Sequence, residues 1–437
     1  MRAASNPAVA GSGQTVGDAG GAFRPVKLVD IHLEQAIPNL SGLERYGEAQ
    51  VLVRLHGVPL ESVRVPVVNG GCSALSLRRA VVESAGRWVI NHVVEDELAA
   101  GVVDTPNIPR TNTAKHHVRQ PLPSVTVAVC TRNRTEDLAE CLEGLTSLDY
   151  PDLELLVVDN APSSDATERL VASIDDIRYV KEPRPGLDWA RNRAIVEASG
   201  EILAFTDDDV VVDPLWARQL GETFAESDEI MAVTGLVVPL ELETLPQLLF
   251  ERAGGFGRGL RRSWNKIEEG ETWHLGSGRF GTGANMAFRR SIFELIGVFD
   301  PALGAGTATN GGDDLEMFFR VLQEGHVLVY EPWAIVRHRH RRDYDALRKQ
   351  LTDHGLALYA YMIRSALAYP ELRGAMARFG LWWFWRRNLR RLIVSFVRPS
   401  RFPRDLIVAE MRGALVGLTR YARARRDASR LARAGKA

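Results

Sequence analysis

The chain has 437 residues, 45% of them hydrophobic and 25% charged, with 54 Lys and Arg against 55 Asp and Glu. That length suits two or three domains, the composition is that of a soluble globular protein, and a net charge of -1 excludes a nucleic-acid signature for the chain as a whole. Cys72, Cys130 and Cys141 are too few and too scattered for a disulfide framework or a zinc site, which predicts a reducing, cytoplasmic setting.

Residues 1–22, rich in Gly, Ala and Ser, read as a disordered N-terminus without the apolar core of a signal peptide. Residues 26–103 read as a small α+β N-terminal domain of unknown role. In it, 48–56 and 63–68 are expected strands flanking a Gly57-Val58-Pro59 turn, and 76–85 is an expected amphipathic helix. A linker with a His116-His117 pair spans 104–123. From Ser124 the pattern changes. Strands are predicted at 125–129, 153–158, 177–180 and 202–205. Helices are predicted at 135–148, 165–173 and 186–199, the last closed by Gly200. A helix to about Phe224 and a strand near 231–238 follow. Residues 241–280 look irregular, and 343–437 look mostly helical and basic. No run of about eighteen apolar residues suggests a transmembrane helix.

Strands alternating with helices predict a mainly parallel sheet covered on both faces. Ligands of such sheets sit beyond the carboxyl ends of the strands. Thr131, Asp159 and the triplet Asp207-Asp208-Asp209 all fall at such ends. The triplet follows the apolar run 202–205, and a second acidic pair, Asp313-Asp314, lies about a hundred residues on. Carboxylates at the end of a buried strand are costly unless something pairs with them, and a divalent cation carrying phosphates is a natural partner. A further carboxylate can then act as general base.

The stretch 124–340 resembles the family 2 glycosyltransferases of the GT-A fold. The resemblance is carried by Val127-Ala128-Val129-Cys130-Thr131-Arg132-Asn133-Arg134, Leu156-Val157-Val158-Asp159-Asn160, the segment from Gly186 to Ala194, Phe205-Thr206-Asp207-Asp208-Asp209, the segment from Gly283 to Arg290, and Gly312-Asp313-Asp314-Leu315-Glu316. The resemblance implies a glycosyltransferase domain over 124–342 and a set of roles. Thr131 and Arg134 would line the nucleotide pocket. Asp159 would accept a hydrogen bond from the base, although Asn160-Ala161-Pro162 follows it where many relatives have Asp-Gly-Ser. Arg191, Asp207, Asn285 and Asp313 would also stand at the nucleotide sugar. Asp208 would meet ribose or metal, Asp209 would bind Mn²⁺ or Mg²⁺, and His338 and His340 would supply metal or phosphate contacts. Asp314 matches the family's base. The implied reaction is inverting transfer from a UDP-sugar to a hydroxyl of a glycan or lipid-linked acceptor.

Each reading has a plainer rival. Asp159 suits a turn. Asp313 suits a helix cap, with Asp314 reacting behind it. The histidines sit in a run of arginines that suits a solvated strand. Trp264, Trp273 and His274 suit either a sugar face or the core. A nucleotidyltransferase would want a Gly-rich loop where Thr131-Arg132-Asn133-Arg134 stands. A non-catalytic sugar-nucleotide-binding or scaffold protein would not need both acidic clusters. From Arg378 onward there are fifteen arginines and three acids, with aromatics interleaved around 381–394. That mixture predicts either a helix packed on the catalytic domain or a dimer, or contact with the anionic inner face of the cell membrane.

Overall fold

The computed structural model describes residues 23–99, 121–397 and 402–434, residue 269 excepted. The expectations for 1–22 and for the linker through His116 and His117 lie outside the described residues. Residues 121–124 have no regular structure.

The first unit holds three strands rather than two. β1 (Val26–His32) runs parallel to β2 (Glu48–Leu55), and β2 runs antiparallel to β3 (Val58–Pro66). The expected Gly57-Val58-Pro59 turn is mostly strand, and the turn itself is His56-Gly57. α1 (Ala74–Ala99) lays Leu77, Val81 and Ala85 on Val51, Val53 and Val63.

The second unit begins with β4 (Val125–Thr131), α2 (Thr135–Thr146), β5 (Leu153–Asn160), α3 (Ala166–Ala172), β6 (Ile177–Glu182), α4 (Leu187–Glu197) and β7 (Ile202–Asp207). It continues through β8 (Val210–Val212), α5 (Trp216–Ala225), β9 (Ile230–Pro239), α6 (Leu245–Ala253), β10 (Ser263–Asn265), β11 (Asn285–Arg289), α7 (Ile292–Ile296), α8 (Asp313–Gln323) and β12 (Val327–His338). These strands form one mixed sheet in the order β10-β12-β9-β11-β7-β4-β5-β6, with β8 paired to β12. The ladders β4–β5, β4–β7, β5–β6 and β9–β12 are parallel and hold most of the paired residues. The sheet is thus the mixed α/β sheet expected of a GT-A fold. β7 lies mid-sheet, so the acidic triplet ends a strand that is paired on both sides.

Successive side chains of a strand point to opposite faces, and β4 feeds both core layers. Val127 and Val129 pack with Leu138 and Leu142 of α2 and Trp216 and Leu220 of α5. Ala128 packs in the other layer with Ala190 of α4 and Phe318 of α8. Phe205, Phe288 and Phe299 meet edge to face in that second layer, at 5.7 to 6.4 Å between centroids. Each such fully buried ring contributes about 1.5–3 kcal/mol.

Three expectations need correction. Gly200 does not close α4; Ala198 ends that helix in extended conformation. Gly200 is there because a Cβ would come within 2.6 Å of the Thr126 nitrogen. Residues 241–280 are not wholly irregular, since they contain α6. The Gln247 side chain accepts from the Thr244 N–H at 3.0 Å, and Pro246 sits in the first turn. A Thr-x-x-Gln start of this kind was legible in the sequence. Finally, Gly312 (φ 93°), not Asp313, caps α8.

The two units are clamped together by buried charge. Arg54 of β2, 3% exposed, pairs with Asp30 at 2.8 Å and with Asp213, just after β8, at 2.7 Å. Arg337 of β12 reaches the same Asp30 at 2.6 Å. Apolar contacts add to this, with Leu55, Val58 and Leu60 against Trp333, and Leu52 against Leu236 and Ile335. The remaining chain is helical as expected: α9 (Tyr344–Ala368), α10 (Arg373–Trp383), a π-helical turn (Phe384–Leu389), α11 (Arg390–Val397) and α12 (Arg404–Ala434). Among the described residues no helix is long and apolar enough to cross a membrane.

Candidate active site

The site is built from the ends of β4, β7 and β12. β4 and β7 are parallel neighbours, so Thr131 and the triplet arrive at the same edge of the sheet. The Thr131 hydroxyl donates to Asp208 at 2.7 Å. Arg134 lies across the triplet, donating to Asp208 at 2.6 Å and Asp209 at 2.9 Å, and also to Asp137. β8 then turns the chain back along β12 in a register that sets Val210 opposite His338. This brings His338 Nε2 to 3.3 Å from Asp209 Oδ1, while the Arg339 N–H donates to the Asp209 carbonyl at 3.0 Å.

Asp207, Asp209 and His338 offer ligand atoms that all lie within 4.8 Å of one another. Burial pushes Asp207 up to about 6 and Asp208 up to about 7. Burial acts on Asp209 in the same sense, but His338 in its protonated form and the Arg134 guanidinium outweigh it and hold that carboxyl below its usual range. Burial pushes His338 down to about 4, so its imidazole is neutral at neutral pH. Its Nδ1 is buried without a hydrogen-bond partner among the described residues. Two carboxylates and a neutral imidazole are a donor set that fits a divalent cation. The expected metal residues thus divide. Asp209 and His338 stand in the cluster, Asp207 joins them, and Asp208 is held by Thr131 and Arg134. His340 turns away to Glu251 of α6 at 2.8 Å.

The second acidic pair reaches the same strand ends through β11. Pairing of Asn285 with Thr206 lays β11 against β7, and the Thr206 hydroxyl donates to the Ala284 carbonyl at 3.0 Å. The neighbouring Gly283 N–H donates to Asp314 at 2.9 Å. Asp314 remains half-buried, whereas Asp313 is buried against the Arg191 guanidinium.

Residues 126–297 match the model of the glycosyl transferase family 2. The chain is 27% identical over 237 residues to the glucosyl-dolichyl phosphate glucuronosyltransferase of Haloferax volcanii, covering 51% of this chain and 72% of that protein. It is 32% identical over 220 residues to the succinoglycan biosynthesis protein ExoM of Rhizobium meliloti, covering 48% of this chain and 65% of that one, just under two thirds. Residues 126–297 therefore carry a family 2 glycosyltransferase domain. Among solved structures, the mannosyltransferase PcManGT from Pyrobaculum calidifontis, in complex with GDP-Man and Mn²⁺, aligns over 78% of this chain and 86% of its own, with a TM-score of 0.40 and 18% identity.

Several of the positions that carry the resemblance are engaged inside the fold. Asp159 is fully buried and accepts from the Tyr179 hydroxyl at 3.0 Å, so the expected contact with a base meets a carboxylate closed to solvent. Arg191 is 3% exposed and bound to Asp313. Asn285 accepts from Trp216 Nε1 at 2.9 Å and donates to the carbonyls of Leu236 and Ala334 at 3.0 and 2.8 Å. Its amide therefore ties β11 to its surroundings. His274 stacks on Phe319 at 5.2 Å and Trp273 meets Phe280 edge-on at 5.5 Å, which is core packing.

Sequence reasoning passed over Asp188. It is fully buried, neither of its oxygens has a hydrogen-bond partner among the described residues, and Arg191 lies 3.5 Å away. Burial pushes its carboxyl well above the usual range. The nearby Gly304 is required, since a Cβ there would come within 3.0 Å of the Asp188 carboxyl. The signal was an acid in the first turn of α4, inside the family-like segment that begins at Gly186.

Proposed function

We propose that the chain is an inverting, metal-dependent glycosyltransferase that moves a sugar from a nucleotide diphosphate, a UDP-sugar in the first instance, to a hydroxyl of a glycan or lipid-linked acceptor. One observation carries the reading: Asp207, Asp209 and His338 converge at strand ends that also bring in, through Gly283, the half-buried Asp314. Asp209 and His338, with Asp207, would hold Mn²⁺ or Mg²⁺. The bound ion would supply Lewis-acid stabilisation of the charge on the departing diphosphate.

The remaining steps belong to side chains. Asp314 takes the proton of the acceptor hydroxyl. The hydroxyl oxygen attacks the anomeric carbon, the bond from that carbon to the diphosphate oxygen breaks, and the nucleoside diphosphate leaves from the opposite face. The Gly283 N–H bond keeps the Asp314 carboxylate in one orientation for this transfer. Arg134, a third exposed and already a counter-charge to Asp208 and Asp209, is placed to exchange a carboxylate for a phosphate oxygen when the donor enters. The Haloferax relative, named for a dolichyl phosphate substrate, supports an acceptor of the lipid-linked class.

Calorimetry with UDP, GDP, CDP and dTDP, each with and without Mn²⁺, tests the donor half. Metal-dependent binding of one nucleotide, lost in Asp209→Ala, is the expected result. Binding that ignores Mn²⁺, or survives Asp209→Ala, would overturn the metal assignment.

A further inference from the structure

Between Glu371 and Asp405 the chain holds nine arginines and no acid. The described part of this stretch is α10, the π-helical turn and α11. It leaves Leu381, Trp382 and Trp385 exposed at 74%, 51% and 54%, and Phe396 and Val397 at 66% and 78%. Arg378, Arg386 and Arg390 are exposed among them. A single exposed apolar residue needs no explanation, but a succession of large ones marks an interaction surface.

The other side of these helices is anchored, so the exposure is not that of a loose end. Met376, Phe379 and Phe384 share an apolar cluster with Leu275, Leu315, Phe319 and Tyr361. Arg387 donates to the Ala253 carbonyl, and Glu410 of α12 pairs with Arg387 at 3.3 Å and Arg391 at 3.6 Å. The inward Arg387 and Arg391 therefore share Glu410, and the outward arginines are left beside tryptophan.

We propose that α10 and α11 dock this glycosyltransferase on an anionic lipid surface, and that its acceptor hydroxyl belongs to an amphiphile in that surface. Tryptophan and aliphatic side chains lie at headgroup depth while arginines pair with lipid phosphates. Charge favours a bilayer over a second copy of the chain, because two faces that each carry exposed Arg378, Arg386 and Arg390 repel each other. The placement connects docking to chemistry. Leu315, which adjoins Asp314, belongs to the same cluster as the inner face of α10. The docked face is then one helix thickness, about 10 Å, from the layer carrying the base. The acceptor class rests on the reading given under Proposed function; the docking itself does not.

The test is sedimentation of the full chain with vesicles of phosphatidylcholine alone or mixed with phosphatidylglycerol. Wild type should pellet with the anionic vesicles, less so as salt rises, and stay largely free of the neutral ones. The double variants Leu381→Asp/Trp385→Asp and Arg378→Gln/Arg386→Gln should each bind at least about tenfold more weakly while keeping the wild-type Tm and Mn²⁺-dependent nucleotide binding. Failure of wild type to bind anionic vesicles, or undiminished binding by both variants, overturns the proposal. So does a wild-type dimer that Leu381→Asp/Trp385→Asp converts to monomer. Vesicle binding without any nucleotide binding would leave docking in place and remove the donor reading; the reverse result would do the opposite.

Discussion

The chemistry of the site turns on which oxygen each carboxylate leaves available. Asp313 is bound to Arg191 and Asp208 to Thr131 and Arg134, while Asp314 is half-buried and held by backbone N–H groups. Asp314→Asn keeps the shape and removes the basicity. It should lower kcat by about 10²–10⁴ and leave nucleotide affinity unchanged, measured by steady-state kinetics beside calorimetry. Equal losses in affinity would make Asp314 a binding residue instead. A carboxylate away from the site shows how single contacts tune stability. Burial would raise Glu154, but Thr126 at 2.6 Å, Ser199 at 2.7 Å and Arg178 at 3.0 Å pull it down to about 2. A depressed carboxylate stabilises the fold fully above its unfolded pKa of about 4.3 and loses that contribution as pH falls toward its folded value. Because Glu154 is partly solvent-screened, its share is about 1 kcal/mol. Urea unfolding of Glu154→Gln should show that loss at pH 7 and a flatter profile between pH 4 and 2, the window its folded pKa of about 2 defines.

At the scale of elements, the cluster of Asp207, Asp209 and His338 depends on strands that are held from outside. β8 carries the chain from Asp209 to Asp213, and β12 carries Arg337 and His338; the N-terminal unit grips both through Arg54 and Asp30. Removing one member of a buried ion network strands its partners, typically at about 3–5 kcal/mol. Asp30 keeps Arg337, so Arg54→Met should cost about 3 kcal/mol in thermal unfolding and weaken Mn²⁺ binding along with it. An unchanged Tm would mean that the unit is held by its apolar contacts alone. Elements also separate what could be read in advance from what could not. The alternation of 125–207 was plain, because each strand is a short apolar run and each helix repeats its apolar positions locally. β1 was missed, since its neighbour in the sheet is a strand sixteen residues or more downstream that no local pattern reveals. The choice between His338 and His340 also lay beyond local pattern. It was made by β8 on one side and by Glu251 of α6 on the other.

At the scale of the whole molecule, the C-terminal helices are bound to one another by close helix crossings. α9 and α12 meet where Gly355, Gly413 and Gly417 let backbone touch backbone; a Cβ on Gly413 would run into the Thr352 carbonyl. Gly413→Leu should therefore destabilise by about 1–3 kcal/mol or more, with loss of thermal stability in the region that anchors α10 and α11. A neutral result would show that α12 can slide without cost. Sequence by itself determined the α/β alternation, the glycosyltransferase resemblance and the two acidic clusters, because apolar periodicity and motif spacing are local properties of the chain. Tertiary structure alone decided that Asp207 rather than Asp208 joins Asp209 and His338, that Arg191 meets Asp313 and Asn285 meets Trp216, and that the basic aromatic helices keep Trp382 and Trp385 outward. Those outcomes depend on strand register and on ion-pair partners up to three hundred residues apart, such as Asp30 and Arg337.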